Sequence, residues 1–139
     1  MVSYTSRIVV LLIAPDFSEA VSLQKRITAC SGHAAQFIMT RSVMDAQKKL
    51  RNLDVDIVLL DLDAIETNIG HSLQLLLKHK HNDTPIIALS DIRKKDLAME
   101  AIFKGANDYV IKGRDNHLLS KIMCYHYTHA LERLSHRYA

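Results

Sequence analysis

Short runs of aliphatic residues alternate along this chain with longer segments in which apolar residues recur every three or four positions. The short runs have the length of β-strands, and the longer segments have the period of amphipathic helices. Strand and helix in strict alternation are typical of βαβ units, so the pattern predicts an α/β fold with a parallel sheet. Five strands are predicted, over residues 8–14, 35–39, 56–60, 85–89 and 108–111.

Three of these strands, with the sequences IVVLLIA, DIVLL and PIIAL, are almost unbroken in their aliphatic character. A strand covered by helices on both faces has no solvent-facing side and therefore needs few polar residues. We expect these three strands to form the centre of the sheet.

Residues that favour helix ends mark the segments between the strands. Ser18 and Ser42 stand where N-caps would begin the first two helices, and Asp45 follows Ser42 by three positions. Gly105 follows the fourth helical segment, at a position where a C-cap glycine is common. The other helices are predicted over 69–80, over 94–104 and from about 115 onward.

Five strands and five helices joined by short, right-handed connections leave few topologies. A doubly wound sheet with the flavodoxin-like order 2-1-3-4-5 is the leading choice, with the order taken by analogy from known domains of this type. In such a sheet, ligands bind outside the carboxyl ends of the central strands. Functional residues are therefore expected at that edge.

Length and composition add three expectations. The 139 residues suit a single domain over 1–139, with 48% apolar and 24% charged residues. The apolar stretch over 8–14 is too short to span a membrane and is not part of a signal-peptide pattern, so a cytoplasmic location is predicted. The net charge of +3 comes with scattered basic residues, for which solvated helix faces are a sufficient explanation, so no direct nucleic-acid partner is expected.

Polar side chains follow four of the predicted strands. Since parallel strands end at the same edge of a sheet, these groups should converge there. They are Asp16 after the first strand, Asp61 and Asp63 after the third, Ser90 after the fourth and Lys112 after the fifth.

At these points the chain reads LLIAPDFSEA, DIVLLDLDA, TPIIALS and GANDYVIKG, and over about 120 residues it resembles the response-regulator receiver domain. The resemblance implies a signalling domain rather than a turnover enzyme, with at most slow autodephosphorylation. Asp61 would accept a phosphoryl group, which Lys112 and Ser90 would contact. Mg²⁺ would be held by the carboxylates of Asp16 and Asp61 and by the backbone carbonyl of Asp63.

The same resemblance implies a switch and a set of partners. Ser90 would move toward the phosphoryl group, and Tyr109, three residues before Lys112, would turn inward and reshape the face made by the fourth helix, the fifth strand and the fifth helix. The expected partners are a histidine kinase or phosphotransfer protein and, through that face, a downstream output protein or domain. No membrane partner is expected, and a homodimer is left open.

Two departures from the family pattern keep alternatives open. Pro15 stands where receivers carry the first residue of an acidic pair, so affinity for Mg²⁺ should fall. Gly113 stands where most receivers have a cis-peptide proline, and a cis bond to another residue costs about 2.5–4 kcal/mol, so a trans Lys112–Gly113 bond or a locally rearranged loop is predicted. One alternative is a degenerate receiver that binds its partner without phosphorylation. Another is an unrelated small-ligand binder on the same fold, which the combination of Asp61, Ser90 and Lys112 disfavours.

Overall fold

Five strands form one sheet in the computed structural model, which describes residues 8–31, 35–65, 68–80 and 83–138. All neighbouring pairs run parallel, in the order β2-β1-β3-β4-β5, so the predicted flavodoxin-like topology is confirmed. The strands are β1 (Ile8–Ile13), β2 (Ala35–Thr40), β3 (Ile57–Asp61), β4 (Ile86–Ser90) and β5 (Asp108–Ile111).

Helices cover both faces of this sheet. One buried cluster joins the sheet to α2, α3 and α4, and a second joins it to α1 and α5. No helix among the described residues is long and apolar enough to cross a membrane. The helices are α1 (Phe17–Ser31), α2 (Val43–Asn52), α3 (Ile69–His79), α4 (Lys95–Phe103) and α5 (Asp115–Tyr138), and short 3₁₀ turns follow β3 (Leu62–Ala64) and β4 (Ile92–Lys94).

Alternation of side chains across the sheet explains the aliphatic runs. In β3, Val58 and Leu60 belong to the cluster under α2, α3 and α4, whereas Ile57 and Leu59 belong to the cluster under α1 and α5. Successive residues of a strand point to opposite faces, so a strand covered on both sides must be apolar at nearly every position. The three aliphatic strands β1, β3 and β4 are the interior strands of the sheet, as predicted.

The predicted start of the first helix at Ser18 is wrong. The helix α1 begins at Phe17, and the carboxylate of Asp16 accepts a hydrogen bond of 3.2 Å from the backbone N–H of Glu19. Asp caps a helix as well as Ser does, and Asp16 lies in the short turn that directly follows β1. Ser42 does cap α2, where its side chain accepts from the N–H of Asp45.

The end of the fourth helix is set by a glycine, as predicted. Gly105 has a φ of +122°, a conformation that side-chain-bearing residues rarely adopt. A Cβ atom at this position would also lie 2.7 Å from a methyl carbon of Leu77 on α3. The start of this helix lies one residue later than predicted, at Lys95, because the 3₁₀ turn after β4 occupies the preceding residues.

Candidate functional site

The carboxyl ends of β3 and β5 bring an acid and a lysine together. Asp61 is the last residue of β3 and is only 4% exposed, while Lys112 directly follows β5. The Lys112 Nζ lies 2.8 Å from Asp61 Oδ2, and Asp61 Oδ1 accepts a hydrogen bond of 2.9 Å from the backbone N–H of Asp63. Both oxygens of this buried carboxylate therefore have a fixed partner.

A second carboxylate, that of Asp63, lies between two lysines. Its Oδ2 is 2.9 Å from the Nζ of Lys112, and its Oδ1 is 2.7 Å from the Nζ of Lys94. Sequence reasoning grouped Lys94 with the solvated basic residues and missed it. The available signal was its position four residues after Ser90, at the same edge of the sheet as the other candidates.

These ion pairs shift two pKa values in the direction that keeps the groups charged. Hydrogen bonds from Lys94 and then from Lys112 lower the pKa of Asp63 below its ordinary value of 3.8. Burial lowers the pKa of Lys112, but the hydrogen bonds to Asp61 and Asp63 outweigh it, so the Lys112 pKa is raised above 10.5. The charged Asp63 carboxylate therefore stabilises the folded chain fully above its ordinary pKa, and this stabilisation is lost as the pH falls through the lowered pKa. The charged Lys112 ammonium stabilises the folded chain fully below pH 10.5, and this stabilisation is lost as the pH rises through the raised pKa.

Ser90 ends β4 beside Asp61 but its hydroxyl is directed elsewhere. The Ser90 Oγ lies 3.0 Å from the carbonyl oxygen of Asp91 and 3.1 Å from that of Lys94. The side chain is 98% buried, and its one hydroxyl proton is donated to this pair of carbonyls. Contact with a group bound at Asp61 would require the hydroxyl to rotate.

Asp16, predicted as a metal ligand, lies in the turn between β1 and α1. Its side chain is exposed and caps α1. Across the residues that the structure describes, no three His, Cys, Asp or Glu side chains are placed to share a metal ion. Oxygen donors nevertheless suit Mg²⁺, which commonly uses one or two carboxylates and keeps several waters. The carboxylates of Asp16 and Asp61 and the backbone carbonyl of Asp63 are therefore donors of the chemical type that Mg²⁺ prefers.

Tyr109 lies on β5 opposite Ala88 of β4 and is half-buried. It packs against the cluster under α2, α3 and α4, which includes Ala98 and Ala101 of α4. The ring is therefore on the same side of the sheet as α4. Its role as a switch stays a prediction.

The loop after β5 has the trans peptide bond that was one of the two expected outcomes. No cis peptide bond occurs in the described residues, so the Lys112–Gly113 bond is trans, and Gly113 has a φ of +93°. Beside this loop a cavity of about 320 Å³ opens between α1 and α5, with Asp61 and Lys112 on its wall. An ion pair of 2.7 Å between Arg26 and Asp115 joins the two helices next to this cavity.

We expect Lys112→Met to lower the free energy of unfolding by about 2 kcal/mol, because the buried carboxylate of Asp61 loses its ion pair with the ammonium group. Urea denaturation would measure the loss. Lys121→Met is the matched control, since Lys121 makes an ion pair of the same kind, 2.9 Å from Asp108, at a more exposed position. A loss in the control as large as that in Lys112→Met would contradict a special role for the buried pair.

The chain matches the model of a known protein family. The model of the response regulator receiver domain matches residues 11–123. The match covers four of the five strands in full and the strand-end residues Asp16, Asp61, Asp63, Ser90 and Lys112. A search of the curated proteins found no match.

Solved structures share the fold at low sequence identity. A signal receiver domain from Vibrio parahaemolyticus is 22% identical, with a TM-score of 0.76 over 94% of this chain and 98% of that one. The receiver domain of a sensor histidine kinase from Pseudomonas aeruginosa, solved with magnesium in its active-site cleft, is 15% identical, with a TM-score of 0.71 over 86% and 98%. NtrX from Brucella abortus is 19% identical, with a TM-score of 0.77 over 96% of this chain but only 30% of its own.

Proposed function

This chain belongs to the response regulator receiver domain family, and from that premise we propose that Asp61 accepts a phosphoryl group from a histidine kinase or phosphotransfer protein in the cytoplasm. Receiver domains are signalling domains that work with histidine kinases and output domains. The observation that carries the proposal is the 2.8 Å contact between the buried Asp61 carboxylate and Lys112 at the ligand-binding edge of the sheet.

Phosphoryl transfer to Asp61 is a nucleophilic displacement. A carboxylate oxygen of Asp61 forms a bond to phosphorus while the bond between phosphorus and the donor's leaving atom breaks, which gives an acyl phosphate. The ammonium of Lys112 already lies beside Asp61 and supplies positive charge where the phosphoryl oxygens arrive. The N–H of Asp63 holds the carboxylate in one orientation. Slow hydrolysis of the acyl phosphate would return the domain to its starting state.

Receiver domains bind Mg²⁺ at this position of the fold. We assign its protein ligands here to the carboxylates of Asp16 and Asp61 and the backbone carbonyl of Asp63. When bound, the ion supplies neutralisation of the phosphoryl oxygens. Pro15 contributes no carboxylate, so the protein offers one charged ligand fewer than receivers with a complete acidic pair.

The proposed conformational switch begins at Ser90, whose hydroxyl would exchange its present hydrogen bonds for one to the phosphoryl group. The Ser90 hydroxyl would leave the carbonyls of Asp91 and Lys94 and donate to a phosphoryl oxygen. The loop before α4 loses those contacts, and Tyr109, which packs on the α4 side of the sheet, turns inward.

An apolar surface on α4 supports the assignment of the face formed by α4, β5 and α5 to an output partner. Met99 and Phe103 are 46% and 84% exposed. They lie four residues apart, and therefore on the same side of the helix. Leu97 and Ile92 add exposed apolar area at the beginning of α4 and just before it. Neighbouring exposed apolar side chains of this kind are common at protein-binding sites.

A phosphodonor experiment tests the proposal. We expect the wild-type chain, incubated with acetyl phosphate and Mg²⁺, to gain the mass of one phosphoryl group, and peptide fragmentation to locate it on Asp61. The control is the same incubation without the phosphodonor. An unchanged mass, or a phosphoryl group located on a serine or histidine, would contradict phosphoacceptor function at Asp61. The unchanged mass would also favour an interaction module that works without phosphorylation.

A further inference from the structure

The contact between Lys94 and Asp63 joins two loops at the functional edge of the sheet. Lys94 directly precedes α4, Asp63 lies in the 3₁₀ turn after β3, and the two are 31 positions apart in sequence. Their side chains are 48% and 40% exposed. Exposed ion pairs of this kind add little to stability. The main effect of this pair is therefore electrostatic: it places the positive charge of Lys94 close to Asp61.

Lys94 balances one negative charge in the ion-pair cluster formed by Asp61, Asp63, Lys94 and Lys112. Asp61 and Asp63 contribute two carboxylates, and Lys112 and Lys94 contribute two ammonium groups within 2.9 Å of them. Without Lys94 the same cluster would carry one net negative charge. Mg²⁺ is attracted by negative charge, so the positive charge of Lys94 makes the site less attractive to the ion.

We propose that Lys94 is a counter-ion of the site: its ammonium group pairs with the Asp63 carboxylate, and its positive charge weakens the binding of Mg²⁺ beside Asp61. Lys94 thus acts as a positioning residue, since it reaches the site through Asp63. The inference rests on the proposed function in that it concerns the same metal-assisted site, and it adds a determinant of metal affinity there. Pro15 and Lys94 would then both lower the affinity for Mg²⁺: Pro15 provides no negative charge where receivers carry an acidic residue, and Lys94 adds a positive charge.

The backbone of Lys94 connects this counter-ion to the switch. Its carbonyl oxygen lies 3.1 Å from the hydroxyl of Ser90, while its ammonium group holds Asp63. Lys94 therefore contacts both Asp63 and the predicted switch residue Ser90.

Metal titration of the whole chain tests the inference without any phosphoryl transfer. We expect Lys94→Met to bind Mg²⁺ about tenfold more tightly than the wild type, the order expected for one charge across a few ångströms of partly solvated protein. Calorimetry gives the affinity, and the backbone amide NMR signals of Asp61 and Asp63 report whether the ion binds at this site. Lys94→Arg, which keeps the charge, should bind as the wild type does.

Lys95→Met is the matched control. Lys95 is the next residue, it is exposed, and its replacement changes the net charge of the chain by the same amount. Its affinity for Mg²⁺ should stay within about twofold of wild type, because remote exposed charges are screened. Equal tightening in both variants, or no tightening in Lys94→Met, overturns the inference.

The metal titration and the phosphodonor experiment fail separately. A chain that binds Mg²⁺ more tightly after Lys94→Met but takes no phosphoryl group would refute the phosphoacceptor role and retain the counter-ion. A chain that is phosphorylated on Asp61 but whose Mg²⁺ affinity does not change in Lys94→Met would refute the counter-ion role and retain the phosphoacceptor role.

Discussion

Asp61→Asn is expected to abolish phosphorylation of the chain by a small phosphodonor. The amide has nearly the shape of the carboxylate and can still accept the N–H of Asp63, so the fold should be retained. It lacks the anionic oxygen that forms the acyl phosphate, so no covalent product can form. Intact-mass measurement after incubation with acetyl phosphate and Mg²⁺ should show a phosphoryl adduct on the wild type and none on the variant.

Asp63→Asn is the control for the loss of an acid close to the site. It removes a carboxylate that also contacts Lys112 but leaves the nucleophile in place. This variant should still gain one phosphoryl group, at an altered rate. An adduct on Asp61→Asn comparable with that on the wild type would show that another residue is the acceptor.

Leu60→Ala is expected to cause the largest loss of stability among the changes considered. Leu60 directly precedes Asp61 in β3, is fully buried, and belongs to the cluster under α2, α3 and α4. Truncation of a buried leucine removes apolar contacts and leaves a cavity, which costs about 2–5 kcal/mol. For a domain of this size, that corresponds to a fall in the melting temperature of roughly 10 °C. Urea and thermal denaturation would measure both quantities.

The exposed Leu131 provides the comparison for this substitution. Its side chain is 65% exposed on α5, so Leu131→Ala should change the free energy of unfolding by no more than about 0.5 kcal/mol. Similar losses in both variants would contradict the burial of β3 between two helical layers.

The fold could be predicted from local patterns because those patterns are a direct consequence of burial. An interior strand of a doubly wound sheet is covered on both faces, and the aliphatic runs of β1, β3 and β4 record this in the sequence. Helix ends were less predictable. Ser18 and Asp16 are both good N-caps, and only the path of the turn after β1 decided that Asp16 caps α1.

The candidate site was predictable as a set of positions but not as a set of contacts. Parallel strands end at one edge, so the sequence was enough to place Asp61 and Lys112 near each other. It did not indicate that Lys94 holds Asp63, or that the Ser90 hydroxyl turns toward backbone carbonyls. These contacts depend on loop paths and side-chain rotamers.

The sequence by itself determined the α/β class, the central strands and the edge of the sheet at which chemistry is expected, because hydrophobic periodicity and strand direction are local properties of the chain. Only the tertiary structure decided which charges meet. Lys112 and Asp63 are 49 positions apart and Lys94 and Asp63 are 31 apart, and ion pairs over such separations exist only once the sheet has brought the loops together. The electrostatic balance around Asp61 is thus a property of the folded chain.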